Sequence, residues 1–480
     1  MNQSKVVDRL EIARSMMTCI APVSATGQVT GAAGLAVDIA GLDPLLAVGD
    51  RLMLHGRAQN PIPAEIVSFR GGRARAMPLG ALAGIGPGAR ATVSIAVAPT
   101  SQGGAEGREP GAAGLPVGDG WLGRVVDPLG NPLDGRGTLP RGRPRPVRTP
   151  PPPAATRARL GPRISLGVRA LDLFTTCRTG QRLGLFAGSG VGKSTLLAML
   201  AQQARCDVVV LALVGERGRE VREFIEDDLG PAIARCVVVI ATSDQPPLLR
   251  REAAYAAMTV AEHFRDQGLA VLLLMDSVTR FCLALRDIGL AGGEPPATRG
   301  YPPSMFAELP CLLERAGPGP EPGPGQPGTG SITALFTVLV EGDDTNEPIA
   351  DTVRGILDGH AILDRRIAES GRYPAIDVLR SLSRTTPGCL EADEAALVRD
   401  ARAILALQAE LADLVRLGAY HAGADPAADR ALRLAPPIEA MLRQDRGACS
   451  SIGDAFQELR AILRDNPGAP AAPEDAAHAA

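Results

Sequence analysis

The segment Ala187-Gly-Ser-Gly-Val-Gly-Lys193-Ser194 sets glycines, an amine and a hydroxyl between the apolar run Arg182 to Phe186 and a helix-forming stretch that begins near Thr195. Glycines let successive backbone amides turn inward around phosphate oxygens, and the N-terminus of the following helix adds positive potential. In that arrangement Lys193 reaches the β and γ phosphates of a nucleoside triphosphate and the Ser194 hydroxyl completes a Mg²⁺ shell. Ala187, Gly188, Ser189, Gly190, Val191, Gly192, Lys193, Ser194 and Thr195 are therefore candidate nucleotide contacts. Ala187 stands where the general pattern has its first glycine. A chance loop is the competing reading in a chain with 55 glycines, but strand, loop, lysine, hydroxyl and helix fall in register.

Two carboxylates join this segment. Val271-Leu-Leu-Leu-Met-Asp276 reads as a buried strand ending in an acid, the usual place for a group that holds Mg²⁺ through its water shell. Taken alone, such an aspartate is more often a helix cap, so its assignment depends on the phosphate loop. Hydrolysis also needs a group to activate or orient water, and Glu216 is the first carboxylate past the apolar run Val208 to Val214. The bland alternative pairs Glu216 with Arg217 or Arg219. Arg217, beside it, is carried as a further catalytic candidate.

These groups need a scaffold. Between 164 and 390 apolar strands alternate with helices: Arg182 to Phe186, Val208 to Val214, Val237 to Ala241, Val271 to Met275 and Ile332 to Val340. That alternation predicts an α/β domain with a mostly parallel sheet covered on both faces. From 23 to about 98, short β segments (Gly27 to Val29, Leu35 to Ile39, Arg51 to Leu54, Ala64 to Phe69) broken by turn residues predict a small barrel. Residues 4 to 17 place Val6, Leu10, Ala13 and Met17 at helical spacing, predicting a short amphipathic helix that either packs on its own domain or docks a partner. The Pro/Arg-rich stretch 140 to 162 reads as an extended, solvated connector, and Gly317 to Gly330 as a mobile loop. Beyond Glu391 the chain turns to Ala/Leu/Arg helices, with a disordered tail from Pro467. The expected divisions are 1–22, 23–100, 101–392, 393–466 and 467–480.

Composition narrows the function. A net charge of −3 argues against a dedicated polyanion binder. A hexameric nucleic-acid translocase would stack bases on barrel aromatics, and Phe69 is the sole aromatic between 23 and 98. The eight cysteines are scattered singly and the five histidines do not cluster near them, which suggests a reducing compartment without structural zinc. With no long apolar run and no signal-peptide pattern, a cytoplasmic chain is expected, able to dock on a membrane machine. Lysine occurs at Lys5 and Lys193 alone. A nucleotide-dependent scaffold without turnover would be expected to lose Glu216 or Lys193.

At the motifs Gly184-Leu-Phe-Ala-Gly-Ser-Gly-Val-Gly-Lys-Ser194, Gly215-Glu-Arg-Gly-Arg-Glu-Val221, Ala241-Thr-Ser-Asp-Gln-Pro-Pro247, Met275-Asp-Ser-Val-Thr-Arg-Phe281, Gly300-Tyr-Pro-Pro-Ser-Met-Phe-Ala-Glu-Leu-Pro310 and Ile356-Leu-Asp-Gly-His360 the chain resembles the rotary-type ATPase subunits. More narrowly it resembles the type III secretion ATPases, and within them the flagellar branch, over about 20 to 465. The injectisome branch and the catalytic β subunit of a rotary ATP synthase are the alternatives; the β subunit normally carries Gly-Glu-Arg-Thr where this chain has Gly-Glu-Arg-Gly. The resemblance implies an N-terminal β barrel, a RecA-like ATPase domain and a C-terminal helical domain, assembled as a homohexamer with sites between subunits. It implies Glu216 as the catalytic carboxylate, Arg384 in Ser381-Leu-Ser-Arg384 as an arginine finger reaching a neighbour's γ phosphate, and Tyr373 in Arg372-Tyr-Pro-Ala-Ile-Asp377 as the ring that stacks on adenine. It also implies ATP and Mg²⁺, a stator-like regulatory protein on the N-terminal helix, a central stalk-like component, chaperone-bound export substrates and a membrane export gate at the inner membrane, with no nucleic acid.

Overall fold

The computed structural model describes residues 23–57, 60–95, 114–140, 142–321, 328–340 and 347–464. The helix expected over 4 to 17 and the tail from Pro467 lie outside the described residues, as do 322–327 of the Gly/Pro loop. The chain divides into two compact units, the first comprising Met1–Gly114, Gln245–Arg251 and Leu283–Met305.

The core of the first unit is a closed antiparallel barrel in the order Val23–Ala33, Ala36–Ala40, Arg73–Pro78, Ile62–Arg70, Arg51–His55 and Arg90–Ile95, which returns to Val23–Ala33. Closure leaves no free strand edge. Val29, Ile39, Leu54 and Ile66 fill its interior. The strand Arg73–Pro78 carries its inward period on Ala74 and Ala76, both fully buried, between outward arginines. Alanine is a weak apolar signal, which is why this strand is harder to read from sequence than its neighbours.

The second unit is built on a sheet whose strands run in the order Ile376–Ser383, Gly359–Leu363, Arg182–Ala187, Ser331–Leu339, Ala270–Asp276, Val208–Glu216, Cys236–Thr242 and Arg124–Val126. Neighbours pair in parallel except at the first edge, where Ile376–Ser383 runs antiparallel to Gly359–Leu363. Val208 through Leu213 are all buried, as a strand covered on both faces requires. Gly317–Pro318 pairs back onto Ser331–Ile332, so the Gly/Pro segment starts as a short hairpin arm.

The Pro/Arg-rich stretch is extended as expected but partly pinned. Arg143–Arg145 pairs with Leu115–Val117, Arg163–Ile164 pairs with Cys177–Arg178, and Arg157 ion-pairs with Glu314 at 3.1 Å. Three helices close the described chain, Ala392–Arg416, Pro426–Leu442 and Ile452–Arg464. The first opens on a capping box, with the Glu391 and Glu394 side chains each accepting from the other's backbone amide. Their apolar faces, including Ile404, Leu434, Ile438, Phe456 and Leu459, join Phe174 and Ile376 in one continuous core with the sheet. Truncating Phe456 to alanine in that core should cost about 3–5 kcal/mol. The observed class is thus the expected one: barrel, mostly parallel α/β sheet, then helices.

Candidate active site

Parallel pairing brings distant residues to one edge of the sheet. The ladders set Ala187 opposite Leu339, Met275 opposite Phe336 and Leu213 opposite Asp276, so the strands holding Ala187, Asp276 and Glu216 all end on the same side. This is the edge where α/β sheets bind ligands, because loops and helix N-termini converge there. The loop Gly188–Gly192 leaves the strand and feeds the helix Lys193–Gln203.

At that edge the Lys193 ammonium lies 2.5 Å from Asp276 Oδ1 and 3.3 Å from Glu216 Oε1. All three side chains are mostly buried. Burial alone would depress the Lys193 pKa, but the carboxylates of Asp276 and Glu216 outweigh it and hold the ammonium above the ordinary lysine value. Glu216 moves the other way for a carboxyl: burial and then repulsion by Asp276 raise its proton affinity, against the pull of Lys193. A carboxylate with raised proton affinity beside a lysine ammonium is suited to take a proton from water.

Thr337, fully buried, donates from Oγ1 to Asp276 Oδ1 at 2.7 Å. Lys193 and Thr337 thus share one oxygen of Asp276, and Oδ2 accepts from neither. A hard cation such as Mg²⁺ takes one or two protein oxygens and fills its shell with phosphate oxygens and water. Asp276 together with the exposed Ser194 hydroxyl fits that donor set. No cluster of three His, Cys, Asp or Glu suited to a metal exists among the described residues.

Two glycines hold positions a side chain would spoil. Gly192 has φ 88°, and a Cβ there would lie 3.2 Å from the ring of Tyr373, so Tyr373 packs directly on the phosphate loop. Gly215 has φ 72°, and its Cβ would meet Arg280 at 3.0 Å. Arg280 thereby sits against the strand end that carries Glu216, where its charge lowers the Glu216 pKa. Its Nε is buried without a hydrogen-bond partner. An orphaned guanidinium nitrogen at the strand end that carries Glu216 marks Arg280 as a further candidate for anion contact. Sequence reasoning assigned no role to Thr337 or Arg280. Arg280 lies four residues past Asp276, in the first turn of the helix Val278–Gly292, a signal that could have found it; Thr337 is a single hydroxyl inside an apolar strand and gives none.

The remaining candidates divide between the loop itself and more distant positions. Ala187 and Val191 are buried, Ser189 accepts at its carbonyl from Arg365 at 3.0 Å, and Thr195 Oγ1 accepts from Arg446 at 3.2 Å. Arg217 points outward, 74% exposed, and pairs with Glu220 at 2.9 Å, away from the Lys193 cluster. Arg384 is exposed, and its amide donates to Asp358, whose own amide donates to Arg182. Arg182 begins the strand that ends at Ala187, so Arg384 lies at the opposite edge of the sheet, about 17 Å along the strand from the phosphate loop. The fold therefore does not bring Arg384 to its own chain's Lys193. A separate cavity of about 410 Å³, lined among others by Asp119, Arg145 and His263, holds none of the site residues.

Residues 167–383 match the ATP synthase alpha/beta family nucleotide-binding domain, and 390–461 match the C-terminal domain of type III secretion EscN ATPases. The flagellum-specific ATP synthase of Caulobacter vibrioides is 53% identical over 447 residues, 93% of this chain and 97% of that protein. The assembled ATPase EscN of the enteropathogenic E. coli type III secretion system superposes with a TM-score of 0.80 at 37% identity, covering 91% of this chain and all of that one. EscN in complex with its central stalk EscO gives 0.78 at the same identity and coverage.

Proposed function

The chain belongs to the ATP synthase alpha/beta family and carries the type III secretion ATPase C-terminal domain, and from that premise we propose that it is the ATP-hydrolysing motor of a flagellar type III protein export apparatus. The observation that carries this reading is the convergence of Lys193, Glu216 and Asp276 at the end of three parallel strands. Lys193 and the inward amides of the loop hold the phosphates. Glu216 accepts the proton of the water that attacks in line, and Tyr373, seated on Gly192, offers its half-exposed ring to adenine. Mg²⁺ would be held by Ser194 and Asp276, and it supplies neutralisation of phosphate charge.

Arg384 acts on a neighbour's phosphates. Its exposure at the far sheet edge supports this, because it cannot serve its own site. Such a finger contributes on the order of 10³ to 10⁵ in rate in related hydrolases. The assembled EscN and its stalk complex support a homohexamer around a stalk-like component. Hydrolysis in that ring releases, unfolds and hands over chaperone-bound export substrates at the membrane gate, while a stator-like protein holds the N-terminal segment. No helix among the described residues is long and apolar enough to cross a membrane, so attachment at the inner membrane is peripheral in this reading.

The test is ATPase rate against protein concentration for wild type, Glu216→Gln, Arg384→Ala and an equimolar mixture of the two variants. A rate per subunit that climbs with concentration, two inactive variants and a partly active mixture are expected. A flat rate per subunit with Arg384→Ala fully active would refute both the finger and the ring.

A further inference from the structure

The turn joining the last two helices, residues 443–451, reaches three elements of the nucleotide site. Gln444 is buried, and its backbone amide and both polar atoms of its side chain are hydrogen-bonded. Its amide donates to the Tyr373 carbonyl at 2.8 Å, and Nε2 donates to the carbonyls of Gly167 at 2.7 Å and Ala448 at 2.6 Å. Its Oε1 accepts from the amide of Arg169 at 3.0 Å. The backbone that presents Tyr373 to the phosphate loop is therefore tied to this turn.

Two residues on, Arg446 spans a gap. One guanidinium nitrogen donates to Asp228 Oδ1 at 2.6 Å and the other to Thr195 Oγ1 at 3.2 Å. The Arg446 carbonyl accepts from Gln203 Nε2 at 3.0 Å. Thr195 lies on the helix that starts with Lys193 and Ser194, and Gln203 ends it. Asp228 lies in the helical segment that follows Glu216, formed by Gly218–Glu223 and the π-helical turn Phe224–Leu229. Gln202 Nε2 donates to the Asp228 carbonyl at 2.6 Å, so the two elements touch beside Arg446 as well.

In-line attack depends on where Glu216 stands relative to Lys193, and the helix that starts at Lys193 and the helical segment that follows the Glu216 strand are joined across this gap. The π turn Phe224–Leu229 that holds Asp228 is an uncommon, wide winding of a kind that recurs at functional sites. The Arg446 side chain is 66% exposed, so its ion pair adds little to stability. Its value lies in spacing, since it fixes Thr195 and Asp228 relative to each other.

We propose that Arg446, with Gln444 behind it, makes this turn a positioning bracket: through it the C-terminal helices set the alignment of the Glu216 segment and of Tyr373 against the phosphate-loop helix. Arg446 is a positioning residue and acts through Thr195 and Asp228. This inference rests on the reading of Lys193 and Glu216 given above. It predicts that moving the C-terminal helices changes turnover without changing any residue that meets the nucleotide.

The test measures kcat and KM for ATP, affinity for a fluorescent ATP analogue and thermal midpoint in Arg446→Ala, Arg446→Lys, Asp228→Asn and the double variant Arg446→Ala/Asp228→Asn, at one protein concentration. A small misplacement of catalytic groups is costly in rate, so Arg446→Ala should lower kcat about tenfold with analogue affinity within threefold of wild type. Arg446→Lys should recover part of the loss, and the double variant should fall little below Arg446→Ala, because both changes break one strut. An unchanged kcat in Arg446→Ala, or single losses that multiply in the double variant, would overturn the bracket. A wild-type protein without ATP turnover would instead overturn the reading on which the bracket rests.

Discussion

Replacing Thr337 by valine asks whether Asp276 is a metal-holding group without stranding a charge. Removing Lys193 or Asp276 itself would leave buried charge unpaired, at a cost of about 3–5 kcal/mol that would mix folding with function. Valine keeps the branched shape of Thr337 in its fully buried seat and removes only the hydroxyl that donates to Asp276 Oδ1 at 2.7 Å. A hydrogen bond to a charged group contributes about 1.5–3 kcal/mol. Lys193 still reaches the same oxygen at 2.5 Å, which puts the loss at the low end of that range. Loss of a group that orients a metal-holding side chain lowers metal affinity about 10–100-fold, and with Lys193 still holding the same oxygen half-saturating Mg²⁺ should rise about tenfold. The assay follows ATP turnover and fluorescent nucleotide binding across free Mg²⁺ at fixed ATP, with kcat at saturating Mg²⁺ staying within about threefold because Glu216 is untouched. A half-saturation point unmoved in a variant that is fully folded at the assay temperature would refute the role given to Asp276.

Further outcomes follow from the same geometry. Glu216→Gln should lower kcat by about 10² to 10⁴ while nucleotide affinity holds, and the acid limb of the wild-type rate profile should lie above the ordinary glutamate range, since burial and Asp276 raise its pKa; a limb at the ordinary value would count against it as the base. Base stacking contributes about 1–3 kcal/mol, so Tyr373→Ala should weaken ATP binding roughly tenfold while Tyr373→Phe leaves it near wild type; equal losses in both would show that the hydroxyl, not the ring, matters. Asp172 accepts from Ser165, Leu166 and Gly167, yet burial pushes its carboxyl up to about 6. Its folded value lies above the unfolded one, so its contribution is fully present below the unfolded value near 3.8 and is lost as pH rises through about 6, a change of roughly 3 kcal/mol. Urea unfolding of Asp172→Asn between pH 4 and pH 7 should show a flatter dependence than wild type, and an identical slope would exclude Asp172 as its source.

The place of the central cluster was readable from sequence because each of its groups lies at the end of an apolar strand or one short loop past it, and parallel pairing sends all such ends to one edge. Ala187, Glu216 and Asp276 needed only strand positions to be brought together. Arg384 shows what that logic lacks: nothing in Ile376 to Ser383 announces that it runs antiparallel, and that reversal carries Arg384 to the far edge. Thr337, Gln444 and Arg446 were hidden for another reason. Their partners are set by tertiary packing across long chain separations, and a lone hydroxyl, amide or arginine carries no period to betray its place.

The pairing of Lys193 with two carboxylates also decides how the protein meets electrophiles. Acylating dyes attack the neutral amine, and an ammonium held protonated above its usual value and buried at the loop is a poor target. The chain has one other lysine, Lys5, close to the amino terminus. Mild labelling at neutral pH should thus place a fluorophore within the first few residues and leave the Lys193 amine untouched, giving a site-selective reporter on the segment proposed to dock a partner without introducing a single mutation.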